Sequence, residues 1–119
     1  MKLLIVDDSL MMRKMVERAL AEKNFTIAGT AQNGEEALEI FAKTLPDLVT
    51  LDISMPKMDG LSCLMEMLKI KGDAKILMVS SQSDTAIAKE TLARGAAGFI
   101  TKPFSAADLI KKVNEILGA

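Results

Sequence analysis

Short apolar runs and amphipathic segments take turns along the whole chain, and that alternation restricts the fold more than any other feature. Leu3–Val6 is continuously apolar, and similar runs recur at Leu48-Val49-Thr50-Leu51, Ile76-Leu77-Met78-Val79 and Phe99-Ile100. Unbroken apolarity suits strands covered on both faces. The segment Phe25–Ala31 alternates instead, with Phe25 and Ile27 two residues apart, and reads as an edge strand with one wetter face. Between the runs the period becomes helical. Ser9 stands where it can cap a helix with Met12, Met15, Val16 and Ala19 on one stripe. Asn33 and Glu36 have capping-box spacing ahead of Ala37, Leu38 and Phe41. Asp59-Gly60 precedes Leu61, Leu64, Met65 and Leu68, and Asp84 starts a short Ala-rich helix ending near Gly95. Ser105 with Asp108 caps the last helix, whose stripe is Leu109, Ile110, Val113, Ile116 and Leu117.

Strands alternating with helices predict an α/β fold of βαβ units. The expectation is one doubly wound (βα)5 domain over residues 1–119, with a parallel sheet, right-handed crossovers and helices on both faces. No repeat, low-complexity tract or Pro/Gly/Ser-rich linker suggests a second domain, and the prolines at 46, 56 and 103 fall in predicted loops.

Composition removes several function classes. Fifteen basic and sixteen acidic residues nearly cancel, so neither nucleic acid nor a membrane surface is expected as a partner. The absence of histidine excludes Ser-His-Asp and Cys-His catalysis and takes away the commonest zinc ligand. A single cysteine, Cys63, permits no internal disulfide and reads as a part-buried small apolar residue. The apolar start runs into Asp7-Asp8, too soon for a signal peptide or membrane helix, so a cytoplasmic setting is expected.

In open α/β sheets ligands bind beyond the carboxyl ends of the strands, near the switch in strand order. The first strand ends in Asp7-Asp8, the third in Asp52 and the fourth in Ser80-Ser81, and the fifth is followed by Thr101-Lys102-Pro103. Singly, each acid is an ordinary cap or turn residue and Lys102 a solvated charge. Together they place three carboxylates, a hydroxyl and an amine on one rim. Two like charges 4 Å apart repel by about 4 kcal/mol at an effective dielectric of 20, and three carboxylates against one lysine leave a deficit that a divalent cation would cancel. An all-oxygen set suits Mg2+. A metal beside a carboxylate, with an amine opposite, forms a receiver for a phosphoryl group. Asp52, alone on a central strand, is the better nucleophile, Asp7-Asp8 the better cation holders, and the Ser80 hydroxyl a hydrogen-bond donor to the transferred group.

This set, with the segment Met55-Pro56-Lys57-Met58-Asp59-Gly60 and the sequence Lys102-Pro103-Phe104, resembles the response-regulator receiver domain of two-component signalling over essentially the full chain. Asp8-Ser9 followed by Met12-Arg13 looks most like its stand-alone, CheY-like chemotaxis group, without an output domain. The resemblance implies a flavodoxin-like strand order, 2-1-3-4-5. It implies that Asp52 accepts a phosphoryl group from a phosphohistidine on a sensor histidine kinase. Asp7, Asp8, Asp52 and the Ser54 backbone carbonyl would ligate Mg2+, Lys102 would contact the phosphoryl oxygens, and the Lys102–Pro103 peptide would be cis. Ser80 and Phe99 would form the switch. The surface of the fourth helix, fifth strand and fifth helix would bind a downstream target, the flagellar motor switch being one candidate, and a phosphatase could act on the product. The protein would be a regulatory phospho-acceptor that assists its own phosphorylation and dephosphorylation. Ser80 stands where threonine is commoner, Ser81 where alanine is usual, and Phe99 where flagellar-motor binders carry tyrosine. Ser54 and Gln82 stand at variable positions expected to influence how quickly water reaches the acyl phosphate.

A haloacid-dehalogenase type phosphohydrolase uses the same elements but is expected to carry a D-x-D nucleophile on the first strand and a cap, neither of which is present here. An FMN carrier would need an aromatic to stack on flavin, and the chain has no tryptophan or tyrosine. An inert docking receiver is disfavoured by the complete site. Gly29 to Gly34 has phosphate-loop spacing, but Glu35 follows where lysine is needed. The nine methionines read mainly as gap-filling core, with Met11, Met55 and Met58 near the rim.

Overall fold

A computed structural model describes residues 1–21, 23–55 and 58–118. Strands β1 (Lys2–Val6), β2 (Thr26–Ala31), β3 (Leu48–Asp52), β4 (Lys75–Ser80) and β5 (Gly98–Thr101) alternate with helices α1 (Leu10–Ala21), α2 (Gly34–Thr44), α3 (Gly60–Ile70), α4 (Thr85–Ala93) and α5 (Ala106–Leu117). All strand pairs are parallel, in the order β2-β1-β3-β4-β5. This is the flavodoxin-like doubly wound arrangement expected above, with β2 at an edge.

The period-2 alternation of the strands sorts the core into two layers. Leu3, Ile5, Leu48, Leu77 and Val79 face Val16 and Leu20 of α1 and Leu109 and Val113 of α5. Leu4, Val6, Val49, Leu51, Ile76 and Met78 face the layer of α2, α3 and α4, which Phe41, Leu64 and Met67 fill. The two layers exclude solvent from β1, β3 and β4, whose sequences are correspondingly apolar, whereas edge strand β2 keeps Thr26 and Thr30 exposed.

Helix entries follow their capping residues. The Ser9 hydroxyl accepts from the Met12 N–H at 3.2 Å, and Asp59 accepts from the Ser62 N–H at 2.8 Å. Ser105 and Asp108 form a reciprocal capping box. Asn33 makes half of the expected box, accepting from the Glu36 N–H at 2.9 Å.

Several details differ from expectation. On α3 the buried side chains are Cys63, Leu64 and Met67, while Met65 is exposed. Cys63 is fully buried, and burial pushes its thiol up to about 12, which leaves it unreactive. Of the methionines, Met67 and Met78 are fully buried, whereas Met1, Met11 and Met65 are exposed, so gap-filling accounts for only part of them. Met58 packs at the start of α2: a Cβ on Gly34 would lie 2.6 Å from its Cβ. Pro56 and Lys57 lie outside the described residues. No helix among the described residues is long and apolar enough to cross a membrane.

One buried polar atom is out of place in the α1–α5 layer. Thr50 is 1% exposed, pairs in register with Ile5 and Leu77, and its hydroxyl has no hydrogen-bond partner among the described residues. An unsatisfied buried hydroxyl costs about 1–3 kcal/mol. Replacing Thr50 with valine keeps the shape and removes the orphan. The expected result is a gain of about 1 kcal/mol, read by calorimetry as a Tm higher by roughly 4 °C. A lower Tm would show that the hydroxyl has a partner.

Candidate functional site

Strand order reverses direction at β1 and β3, so the loops leaving these neighbours diverge to opposite faces and open a crevice at their carboxyl ends. Asp7 and Asp8 follow β1, and Asp52 is the last residue of β3. Asp7 and Asp52 are 2% and 5% exposed, while Asp8 is open to solvent. One carboxylate oxygen from each of the three lies within 4.8 Å of the others.

Local hydrogen bonds fix the two buried acids. The Ser9 N–H donates to Asp7 Oδ1 at 2.9 Å, and the Ser54 N–H donates to Asp52 Oδ1 at 3.3 Å. Lys102 reaches in from the far end of β5. Its Nζ lies 3.1 Å from Asp7 Oδ2 and 3.7 Å from Asp52 Oδ2. The Lys102 N–H donates to the Ser80 carbonyl at 2.7 Å, and the Lys102–Pro103 peptide is cis. Arg13 is a further cation at this site, which sequence reasoning did not place: its Nη1 donates to the Asp7 carbonyl at 2.7 Å.

Burial and the neighbouring Asp7 carboxylate push Asp52 up to about 6, against the opposing pull of Lys102. The cluster therefore carries more negative charge than its fixed cations balance. Its donors are all oxygen, with no histidine or thiol beside them. Three hard ligands with one side open to solvent fit a small divalent cation.

Ser80 is fully buried at the end of β4, and its hydroxyl has no hydrogen-bond partner among the described residues. Phe99 lies one strand further out on β5, half-buried against the α2–α4 layer and in register with Met78. The structure thus brings Asp7, Asp8, Asp52 and Lys102 together directly. It sets Ser80 beneath the rim and Phe99 apart from the acids. Ser54 behaves unexpectedly: its hydroxyl donates to Asp84 Oδ2 at 3.0 Å, joining the loop after β3 to the loop after β4. Beside the acids a cleft of about 680 Å³ runs between the β3–α3 loop and α4, bordered by Asp8, Ser54, Met55, Ile87 and Glu90.

Comparison with known proteins gives a consistent picture. The family model described as the response regulator receiver domain matches residues 3–114. The chemotaxis protein CheY of Thermotoga maritima is 37% identical over 115 residues, covering 97% of this chain and 96% of that protein. CheY of Bacillus subtilis is 38% identical over 116 residues, covering 98% and 97%. Among solved structures, a chain of the CheX-CheY-BeF3-Mg2+ complex from Borrelia burgdorferi superposes with a TM-score of 0.91 at 36% identity, covering 98% of this chain and 88% of that one.

Proposed function

The chain belongs to the response regulator receiver domain family, and from that premise we propose that it is a phosphorylation-controlled switch whose acceptor is Asp52. The donor is a phosphohistidine on a sensor histidine kinase. A carboxylate oxygen of Asp52 attacks phosphorus, the phosphorus–nitrogen bond breaks, and the departing imidazole takes up a proton. The observation that carries the reading is the meeting of Asp7, Asp8, Asp52 and Lys102, drawn from three strand ends, at one rim.

Asp7, Asp8, Asp52 and the Ser54 carbonyl would hold Mg2+. When bound, the ion supplies positive charge for both the crowded carboxylates and the phosphoryl oxygens. Lys102 serves the remaining oxygens from the opposite side. Its ammonium already bridges Asp7 and Asp52, so it needs little rearrangement to do so. Ser80 donates its free hydroxyl to the transferred group, Phe99 follows into the space released, and the surface of α4, β5 and α5 changes. A downstream protein reads that surface, in chemotaxis by kinship with the CheY relatives. A phosphatase partner would reset the switch. The domain assists these steps on itself rather than turning over a substrate.

Incubation with acetyl phosphate and Mg2+, followed by intact-mass measurement, tests the reading. One added phosphoryl group is expected, absent in Asp52→Asn and absent when Mg2+ is chelated. An unchanged wild-type mass with Mg2+ present would overturn it.

A further inference from the structure

The helix-start sequence Ser-x-x-Asp occurs twice in this chain and is used in two different ways. At α5 it closes as a capping box: Ser105 Oγ accepts from the Asp108 N–H at 3.1 Å, and Asp108 Oδ2 accepts from the Ser105 N–H at 3.1 Å. Ser81 and Asp84 have the same spacing before α4, where a single 3₁₀ turn, Gln82–Asp84, precedes the helix. Ser81 has the extended backbone of an N-cap, φ −82° and ψ 169°, yet neither its side chain nor that of Asp84 caps anything.

The carboxylate has been diverted. Asp84 Oδ2 accepts from Ser81 Oγ at 2.9 Å and from Ser54 Oγ at 3.0 Å. Each hydroxyl has one proton to give. Ser81 spends its own on Asp84, so at the 2.9 Å contact between Ser81 and Ser83 the donor is Ser83. The result is a hydrogen-bonded chain from Ser83 through Ser81 and Asp84 to Ser54, spanning 30 positions of sequence.

One end of this chain touches the acceptor site, and its middle adjoins Ser80. The Ser54 N–H donates to Asp52 Oδ1, and Ser81 directly follows the buried, unpartnered Ser80. We propose that Asp84 is a positioning residue for phosphoryl acceptance at Asp52, clasping the β4–α4 loop to Ser54 in the resting state. In the phosphorylated state the Ser81–Asp84 box closes as at α5 and lets Ser54 go. In this proposal the carboxylate turns from Ser54 to the Ser81 N–H, as Asp108 bonds the Ser105 N–H at α5, and a movement of Ser80 toward Asp52 carries Ser81 with it. This inference rests on the proposed acceptor role of Asp52. The clasp favours the resting state, and removing it should shift the population toward the other.

The test is titration with beryllofluoride, a phosphoryl mimic, in the presence of Mg2+. Amide NMR serves as the readout, because the chain has no tryptophan or tyrosine for fluorescence. Asp84→Ala should bind about fivefold more tightly than wild type, the low end of typical coupling between sites. Ser54→Ala should do the same, and the double variant should gain nothing further. Asp84→Asn, which keeps one acceptor oxygen, should fall between. Unchanged or weaker binding by Asp84→Ala would overturn the clasp. So would tightening in Asp84→Ala without tightening in Ser54→Ala, because simple loss of negative charge would then account for it. Failure of the wild type to bind would overturn the acceptor role of Asp52 instead.

Discussion

Gly60→Ala is expected to lower Tm by roughly 10 °C and to weaken Mg2+ binding at the acid cluster. A Cβ at this position would sit 2.6 Å from Ile53 Cα and 2.7 Å from the Asp52 carbonyl oxygen. Both are backbone atoms at the end of the strand that carries Asp52, and neither can swing aside. The approach is held by a hydrogen bond from the Gly60 N–H to the Ile53 carbonyl at 2.9 Å. To admit the methyl, α3 must move off β3 or the strand end must shift. Overpacking of this kind costs about 1–3 kcal/mol, and at roughly 4 °C per kcal/mol for a domain of this size the upper part of that range gives the Tm change. Displacement of Asp52 also widens the site, which calorimetric titration with Mg2+ would register. Gly72→Ala is the control: the one atom near its added Cβ is the Leu68 carbonyl oxygen, at 3.6 Å. Equal Tm values for the two variants would show that α3 does not need this contact.

Asp52→Asn should stabilise the metal-free protein, and only above mildly acid pH. Folding raises the Asp52 carboxyl from 3.8 to about 6, so the folded chain resists its ionisation. Below pH 4 the group is protonated in both states and has no effect. Between pH 4 and 6 the unfolded chain loses its proton first, and stability falls as pH rises. Above pH 6 the full penalty applies. A gap of roughly two pH units corresponds to about 3 kcal/mol. Solvent at the open rim screens the site, and about 1–2 kcal/mol is the expected figure, a Tm gain of roughly 4–8 °C at pH 7.5. Asp47 works in the opposite sense, its carboxyl held low first by the Lys2 N–H and also by Lys71, so the difference between wild type and variant is the quantity to follow. Mg2+ should shrink that difference, because it binds the folded wild type and stabilises it by mass action. A variant several degrees less stable than wild type in chelator at pH 7.5 would mean that the acids do not repel one another.

Much of the architecture was legible because few residue patterns serve two purposes. Runs such as Leu3–Val6 and Ile76–Val79 had to be covered on both faces, and Ser9, Asp59 and Ser105 all cap where their spacing placed them. The face of α3 was misread for a physical reason. Leu61, Cys63, Leu64, Met65, Met67 and Leu68 give a helix apolar on nearly every side. Its periodicity leaves the phase open, and the close approach of Gly60 to β3 is the feature beside which Cys63, Leu64 and Met67 turn inward. The acid cluster could be read because strand ends are fixed by topology once the strands are known. The Ser54–Asp84 contact could not, since it depends on the rotamers of two loop residues far apart in sequence. Its trace in the sequence is the second Ser-x-x-Asp, and nothing short of coordinates shows that it goes unused. Arg13 was invisible for the same reason: a first-turn arginine is ordinarily a solvated charge.

The unpartnered hydroxyl of Ser80 bears on where the energy of the proposed switch would come from. A donor sealed away from water with nothing to bond makes the resting fold dearer by about 1–3 kcal/mol than one in which it finds an oxygen. That tension is built in when the chain folds, before any messenger arrives. In the proposed switch, a transferred group that offers an acceptor oxygen would release it, so part of the work of changing shape would come from the protein's own relaxation, like a cocked spring meeting its trigger.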